Sequence, residues 1–139
     1  MSSTPFHLSL PCYDVEQTKD FYINKLGAVL GRISNNWLDV NLFGNQITFT
    51  KSGKFDFYYL NYSFEGKILP SFHYGIIVSD EVLKDLYSRL HANGAEVFDE
   101  ITFLKEKKGE HTSFFVKDPN GYMVEFKSFH KPEDIFEDE

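Results

Sequence analysis

Cysteine is nearly absent: Cys12 is the only one, so no disulfide can form within the chain. That suits a reducing compartment and leaves packing to hold the fold. Also missing is any apolar run near the roughly 20 residues that a bilayer crossing needs. The start, MSSTPFHLSL, carries neither a basic leader nor the apolar core of a signal peptide. A soluble, cytoplasmic protein without membrane contact is the expectation. Positive charge is scarce too, with 14 Lys and Arg against 21 Asp and Glu and a net charge of -7. Lacking a basic stripe, the chain is not expected to bind nucleic acid as its main activity. Neither a glycine-rich phosphate loop nor a Ser/His/Asp pattern is recognisable.

What the chain has in excess is aromatic bulk. Fifteen Phe and eight Tyr sit among 139 residues, enough for one compact domain or two very small fused units. Flat rings of this number suit sheets packed around a pocket, where they serve as both core and wall. The first half reads as a strand over Phe6–Leu10, ended by Pro11, then a helix capped by Asp14 and closed by Gly27. Strand candidates follow at Ala28–Ile33, Trp37–Phe43 and Gln46–Thr50. The second half repeats this order. Phe72–Val78 is a strand, Asp80 is the expected N-cap, and Gly94 closes the helix. Strands follow at Glu96–Ile101, Thr112–Val116 and Tyr122–Phe129, the last two joined through Asp118-Pro119-Asn120-Gly121.

Position supports the repeat. His7 to His73 and Asp14 to Asp80 each span 66 residues, and Gly27 to Gly94 spans 67. An internal duplication accounts for this register, and twin halves would supply each other's missing cover. Between them, residues 51–71 form an aromatic-rich linker holding Phe55, Phe57, Tyr58, Tyr59, Tyr62 and Phe64, with an extra strand expected at Phe57–Tyr62. It is expected to pack over the core or over a second subunit. Residues 130–139 read as an acidic, solvated tail.

His7 and His73 occupy the same place in the two opening strands. One strand histidine is most often a hydrogen-bonded structural residue; two related by a repeat make a metal-binding couple worth proposing. Glu125 supplies a third ligand, since alternation puts it with Met123 and Lys127 on one face of its strand. A salt bridge to Lys127 is the plain alternative for that carboxylate. Four residues after Gly121 comes Glu125, but four after Gly44 comes Thr48, a poor ligand; Gln46 shares its face. Gln46 and Thr48 are therefore read as positioning water or substrate. Two imidazoles and a carboxylate leave open coordination positions and suit Fe(II) or Mn(II), with Zn(II), Ni(II) or Co(II) as further candidates. His111 is a candidate base and Lys127 a contact for a substrate carboxylate or enolate, set against a surface histidine and a lysine snorkelling from its sheet.

This ordered set carries a resemblance. The opening strand with His7, the Asp14–Gly27 segment with Phe21-Tyr22 before Leu26-Gly27, the His73 strand, and the closing Asp118-Pro119-Asn120-Gly121-Tyr122-Met123-Val124-Glu125-Phe126 resemble the vicinal oxygen chelate superfamily. That superfamily includes glyoxalase I, extradiol dioxygenases, fosfomycin-resistance enzymes and bleomycin-resistance proteins. The resemblance implies an α+β fold in which two tandem βαβββ modules, 6–50 and 72–129, form one domain with a metal-binding cleft. It also implies that His7, His73 and Glu125 match the metal-ligand positions, and that the protein is a homodimer. Where many glyoxalase-like members have a fourth protein ligand, this chain has Thr48. The expected function is accordingly an extradiol dioxygenase-like enzyme on a small substrate that chelates through adjacent oxygens. A glyoxalase-like lyase or isomerase, or a non-catalytic small-molecule-sequestering protein, is the alternative.

Overall fold

The computed structural model describes residues 4–137 and divides the chain between Phe57 and Tyr58 into two units. In the first, strand β1 (His7–Cys12) leads into helix α1 (Val15–Lys19), which continues as a π-helical stretch over Asp20–Lys25. Strands β2 (Val29–Ile33), β3 (Trp37–Leu42) and β4 (Asn45–Lys51) follow. They form one mixed sheet in the order β1-β4-β3-β2, with β1 parallel to β4 and the other pairs antiparallel.

Local chemistry explains these limits. The Asp14 carboxylate accepts the Gln17 N–H at 2.8 Å and caps the helix, and Gly27 leaves it at φ 83°, a conformation that favours glycine. Along the helix Val15, Thr18, Phe21, Tyr22 and Leu26 are buried, as are Leu10, Cys12, Leu38, Val40, Leu42, Ile47 and Phe49 of the sheet. Tyr22 and Phe49 meet with ring centroids 4.8 Å apart, so the helix lies on that face of the sheet. Each large side chain buried there contributes about 1.5–3 kcal/mol. Because strand side chains alternate, Ser9, Asp39, Asn41, Gln46 and Thr48 point to the opposite face. Pro11 does not end β1 as expected; it pairs with Thr50, tolerated because β1 is the edge strand of this sheet.

The second unit opens with a hairpin, β5 (Asn61–Phe64) and β6 (Lys67–Pro70). Its turn residues Glu65 and Gly66 take φ 49° and 76°, the pattern of a type I′ turn. Part of the aromatic segment is thus an ordered ribbon, with Phe64 packed on Phe103 at 5.5 Å, and the extra strand begins at Asn61 rather than Phe57. Then come β7 (Tyr74–Ile77), α2 (Asp80–Ala92), β8 (Glu96–Val97), β9 (Ile101–Phe103), β10 (His111–Lys117) and β11 (Met123–Phe129). The sheet order is β7-β11-β10-β8, β7 running parallel to β11, and β9 also pairs with β10. Helix α2 buries Leu83, Leu86 and Leu90, and Tyr87 meets Phe114 of the sheet at 5.3 Å.

Three local expectations are corrected here. The single strand Glu96–Ile101 is two short ones, because the adjacent charges of Asp99 and Glu100 remain exposed and break the pairing. Ser79, not Asp80, caps α2, its hydroxyl accepting the Val82 N–H; the Asp80 carboxylate instead accepts from the Ser128 hydroxyl on β11. The acidic tail is tied down as far as Glu137. Pro132–Asp134 form a 3-10 turn, buried Asp134 accepts the Gly109 N–H at 3.1 Å, and Lys108 pairs with Glu137. Its last two residues, like the first three of the chain, lie outside the described residues. Among the described residues no helix is long and apolar enough to cross a membrane.

Candidate metal and substrate site

Register places the candidate residues. In the first unit His7 pairs with Gln46 and Ser9 with Thr48, which in turn pairs with Asp39. In the second, Gly75 pairs with Glu125, which in turn pairs with Phe115. His7 stands two residues before Ser9, and His73 two before Gly75. Thr48 and Glu125 are therefore register counterparts, each on the central strand that follows its turn glycine. Paired residues share a face, so Glu125, Phe115, Ser113 and Lys127 line the side of the second sheet that α2 does not cover.

His73 and Glu125 meet on that face. His73 Nε2 is 3.3 Å from Glu125 Oε1, while its Nδ1 lies 2.9 Å from the Pro70 carbonyl oxygen. The carbonyl only accepts, so Nδ1 carries the proton and Nε2 is the nitrogen turned to the carboxylate. The hydrogen bond to Glu125 pushes the His73 pKa up; burial opposes it, and the Pro70 carbonyl and the Glu125 charge add to the rise. Burial drives the Glu125 carboxyl up. The His73 hydrogen bond, the charges of Lys127 and His73, and the nearby Ser113 hydroxyl outweigh burial and hold it below the usual range. Glu125, only 8% exposed, is thus a buried carboxylate held ionised beside an imidazole whose protonated form it favours. The Ser113 hydroxyl, fully buried beside it, makes no hydrogen bond of ordinary geometry among the described residues.

The other predicted residues fall into two groups. Lys127 is two residues along β11 from Glu125 and reaches over the Phe129 ring, its Nζ 5.7 Å from the centroid. His111 pairs with Phe129, four residues from Glu125 and roughly 13 Å along the strand. Its Nδ1 lies 2.8 Å from the Gly109 carbonyl oxygen, and its ring packs between Phe103 and Phe129. In the first unit Gln46 and Thr48 meet at a residue that sequence reading passed over. Asp39 is 5% exposed, and its Oδ1 accepts the Thr48 hydroxyl at 2.7 Å. Its Oδ2 accepts from Arg32 Nε at 3.0 Å and, at the limit, from Gln46 Nε2 at 3.5 Å. Burial pushes the Asp39 carboxyl up; Thr48, then the Arg32 hydrogen bond and charge, then the His7 charge bring it below its ordinary value. The signal was the alternation Trp37-Leu38-Asp39-Val40-Asn41-Leu42, which puts a carboxylate and an amide on one face of an inner strand.

Among the described residues no group of three or more His, Cys, Asp and Glu side chains is placed to hold a metal ion. The His73–Glu125 pair nevertheless suits one chemically: once the Nε2 proton is displaced, an imidazole nitrogen oriented by a backbone carbonyl on its far side stands beside a buried carboxylate. A cavity of about 300 Å³ in the first unit is bordered by Arg32, Asp39, Asn41 and Gln46. The larger cavity of the second unit, about 390 Å³, is lined by residues including Lys107, Glu110, His130 and Lys131 and by none of the predicted site residues.

A family model, Glyoxalase/Bleomycin resistance protein/Dioxygenase superfamily, matches residues 4–126. The chain belongs to that superfamily. A glyoxalase/bleomycin resistance protein/dioxygenase from Alicyclobacillus acidocaldarius is 26% identical, with a TM-score of 0.81 over 96% of this chain and 97% of that one. The fosfomycin resistance protein FosX from Listeria monocytogenes is 18% identical, with a TM-score of 0.69 over 97% and 100% of the two chains. A mutant of FosX complexed with Mn(II) and 1S,2S-dihydroxypropylphosphonic acid aligns with a TM-score of 0.71 at 16% identity, over 99% and 100%. Among curated proteins none matches. As a superfamily member the chain has an α+β fold of mixed sheets and short helices.

Proposed function

We propose that this chain is a divalent-metal-dependent enzyme acting on a small substrate that binds through two adjacent oxygens. The chemistry is glyoxalase-like, a lyase or isomerase reaction, rather than the oxygen-dependent ring cleavage that the three-ligand set suggests from sequence. The observation that carries the reading is the His73–Glu125 pair, whose imidazole presents Nε2 to a buried carboxylate. His7 stands at the counterpart register position and is the proposed third ligand. A divalent ion supplies Lewis-acid polarisation of substrate oxygens. His73 and Glu125, with His7, would hold it; the Pro70 carbonyl fixes the imidazole tautomer, and Lys127 would add positive charge beside the substrate oxygens. Gln46 and Thr48 position substrate or water, and His111 is the candidate proton carrier. Fe(II) and Mn(II) remain the favoured ions, ahead of Zn(II), Ni(II) and Co(II), and Mn(II) is the ion named in the FosX complex.

The test combines binding and turnover. Mn(II) or Ni(II) titrated into metal-free protein should bind, and Glu125→Gln and His73→Ala should each weaken binding by about tenfold or more. Thiol–ketoaldehyde adducts should then isomerise under anaerobic conditions. Catechol cleavage with oxygen uptake would reinstate the dioxygenase, and unchanged metal affinity in both variants would remove the metal site. The homodimer belongs to the same proposal, supported by Tyr58, Leu60 and Ile68, which expose large apolar surface in and beside the β5–β6 hairpin.

A further inference from the structure

The first unit carries a cation whose placement the fold alone does not require. Strand β2 pairs Val29 with Asn41 and Leu30 with Val40, but Ile33 with Leu38. Two residues, Gly31 and Arg32, therefore stand opposite Asp39. Without this bulge Arg32 would pair with Leu38 and face the helix-covered core. With it, the guanidinium turns to the open face, the re-aiming for which bulges are known. Gly31 makes room: a Cβ there would lie 3.2 Å from both Asp39 Cβ and the Asp39 carbonyl oxygen.

Two contacts then fix the guanidinium. Its Nε donates to Asp39 Oδ2 at 3.0 Å, and its Cζ lies 5.3 Å from the centre of the Trp37 ring. The side chain is still 76% exposed, and among the described residues Asp39 is its only acceptor. The terminal Nη edge of the fork is left to a ligand. Arg32 borders the cavity of about 300 Å³, where Asn41, whose Oδ1 accepts the Gly44 N–H, keeps its amide donors free among the described residues.

We propose that Arg32 is a specificity-determining residue that binds the carboxylate of a small organic acid in this cavity. A planar carboxylate matches the two parallel donors of the fork. Asp39 already offsets much of the arginine's charge, which favours a monoanion over a phosphate-like dianion. Pro5 at the border of the cavity provides an apolar neighbour for a carbon skeleton, and the Trp37 ring packs against the guanidinium itself. This deepens the proposed function by naming the charged end of its substrate, and as a statement about substrate it rests on that reading. Binding itself can be measured without metal.

Trp37 is the only tryptophan and reports the site by fluorescence. Benzoate titrated into metal-free protein should change its emission saturably, whereas the neutral isostere benzamide should not. Arg32→Gln and Arg32→Lys should each weaken benzoate by about tenfold or more, since lysine keeps the charge and loses the fork. Arg32→Lys also leaves Asp39 a cationic partner, which protects the fold. Wild-type protein measured both ways separates the two readings: benzoate binding without Mn(II) binding fails the metal reading alone, and Mn(II) binding without benzoate binding fails this one alone. Wild-type protein blind to benzoate, Arg32→Lys binding as wild type does, or phenylphosphonate binding more tightly than benzoate would each overturn the proposal.

Discussion

Replacing Gly75 by alanine tests whether the ladder beside Glu125 depends on the absence of a side chain. A Cβ at Gly75 would lie 1.7 Å from the Glu125 backbone oxygen and 2.6 Å from its carbonyl carbon. Backbone atoms cannot rotate aside, so β7 and β11 must part by roughly 1 Å or more. Ladder bonds near 2.9 Å would then exceed hydrogen-bonding distance. Losing two costs about 2 kcal/mol, and residual overpacking adds about 1–3 kcal/mol. Alanine's smaller loss of backbone freedom returns about 0.5–1 kcal/mol. The net expectation is a loss of about 2–4 kcal/mol, a large share of the roughly 5–15 kcal/mol that holds a domain folded. Urea denaturation should show a lower midpoint with an unchanged slope. A midpoint equal to or above that of the wild type would refute the reasoning, because it would show that the strands tolerate a methyl group where the backbones approach.

Two further outcomes follow from the two buried carboxylates. In metal-free protein the His73–Glu125 pair should stabilise most between about pH 4.3 and 6.5. The raised His73 pKa makes its contribution complete below the unfolded value and lost as pH rises through the folded one. The lowered Glu125 pKa makes its contribution complete above the unfolded value and lost as pH falls through the folded one. His73→Ala should flatten that profile on its alkaline side, and an unaltered profile in thermal melts would contradict the pairing. Thr48→Val strips the 2.7 Å hydrogen bond from buried Asp39 and should cost about 1–3 kcal/mol by denaturation, a loss that Asp39→Asn in the same chain should partly relieve. Equal stability of Thr48→Val and wild type would show that the hydroxyl is dispensable.

Much of the architecture was written in residues that act locally. Asp14, Gly27, Gly94 and the Asp118 turn bracket the elements through their own caps and turns. Asp118 Oδ1 accepts the N–H groups of both Asn120 and Tyr122, at 2.9 and 2.8 Å. The meeting of His73 with Glu125 was legible in part, because alternation and repeat spacing put both on open-face positions. What escaped depends on pairing between distant segments. Asp39 gains its meaning from Thr48 and Arg32, seven or more residues away on neighbouring strands, and Gly75 gains its meaning from the Glu125 backbone. The β2 bulge leaves no mark beyond an unremarkable Gly-Arg pair. In the aromatic segment the Glu65-Gly66 turn is a local signal, but the strands it joins lack the clean apolar-polar alternation of a half-buried hairpin. The Pro70 carbonyl that sets the His73 tautomer is backbone, and no side-chain pattern announces it.

The counterpart registers of Thr48 and Glu125 also constrain how this sequence can mutate. Glu125 has the neutral Phe115 beside it, whereas position 48 has Asp39. A Thr48→Glu change, the shortest route to a second strand carboxylate, would set two like charges on directly paired residues about 5 Å apart and remove the hydroxyl that Asp39 accepts from. Arg32 would then be shared between them. The substitution becomes tolerable only after Asp39 has been lost, and losing Asp39 first frees Arg32 from the contact that aims it. The two positions are coupled: a glutamate at position 48 goes with the loss of Asp39, and that loss takes away the acceptor that aims the guanidinium.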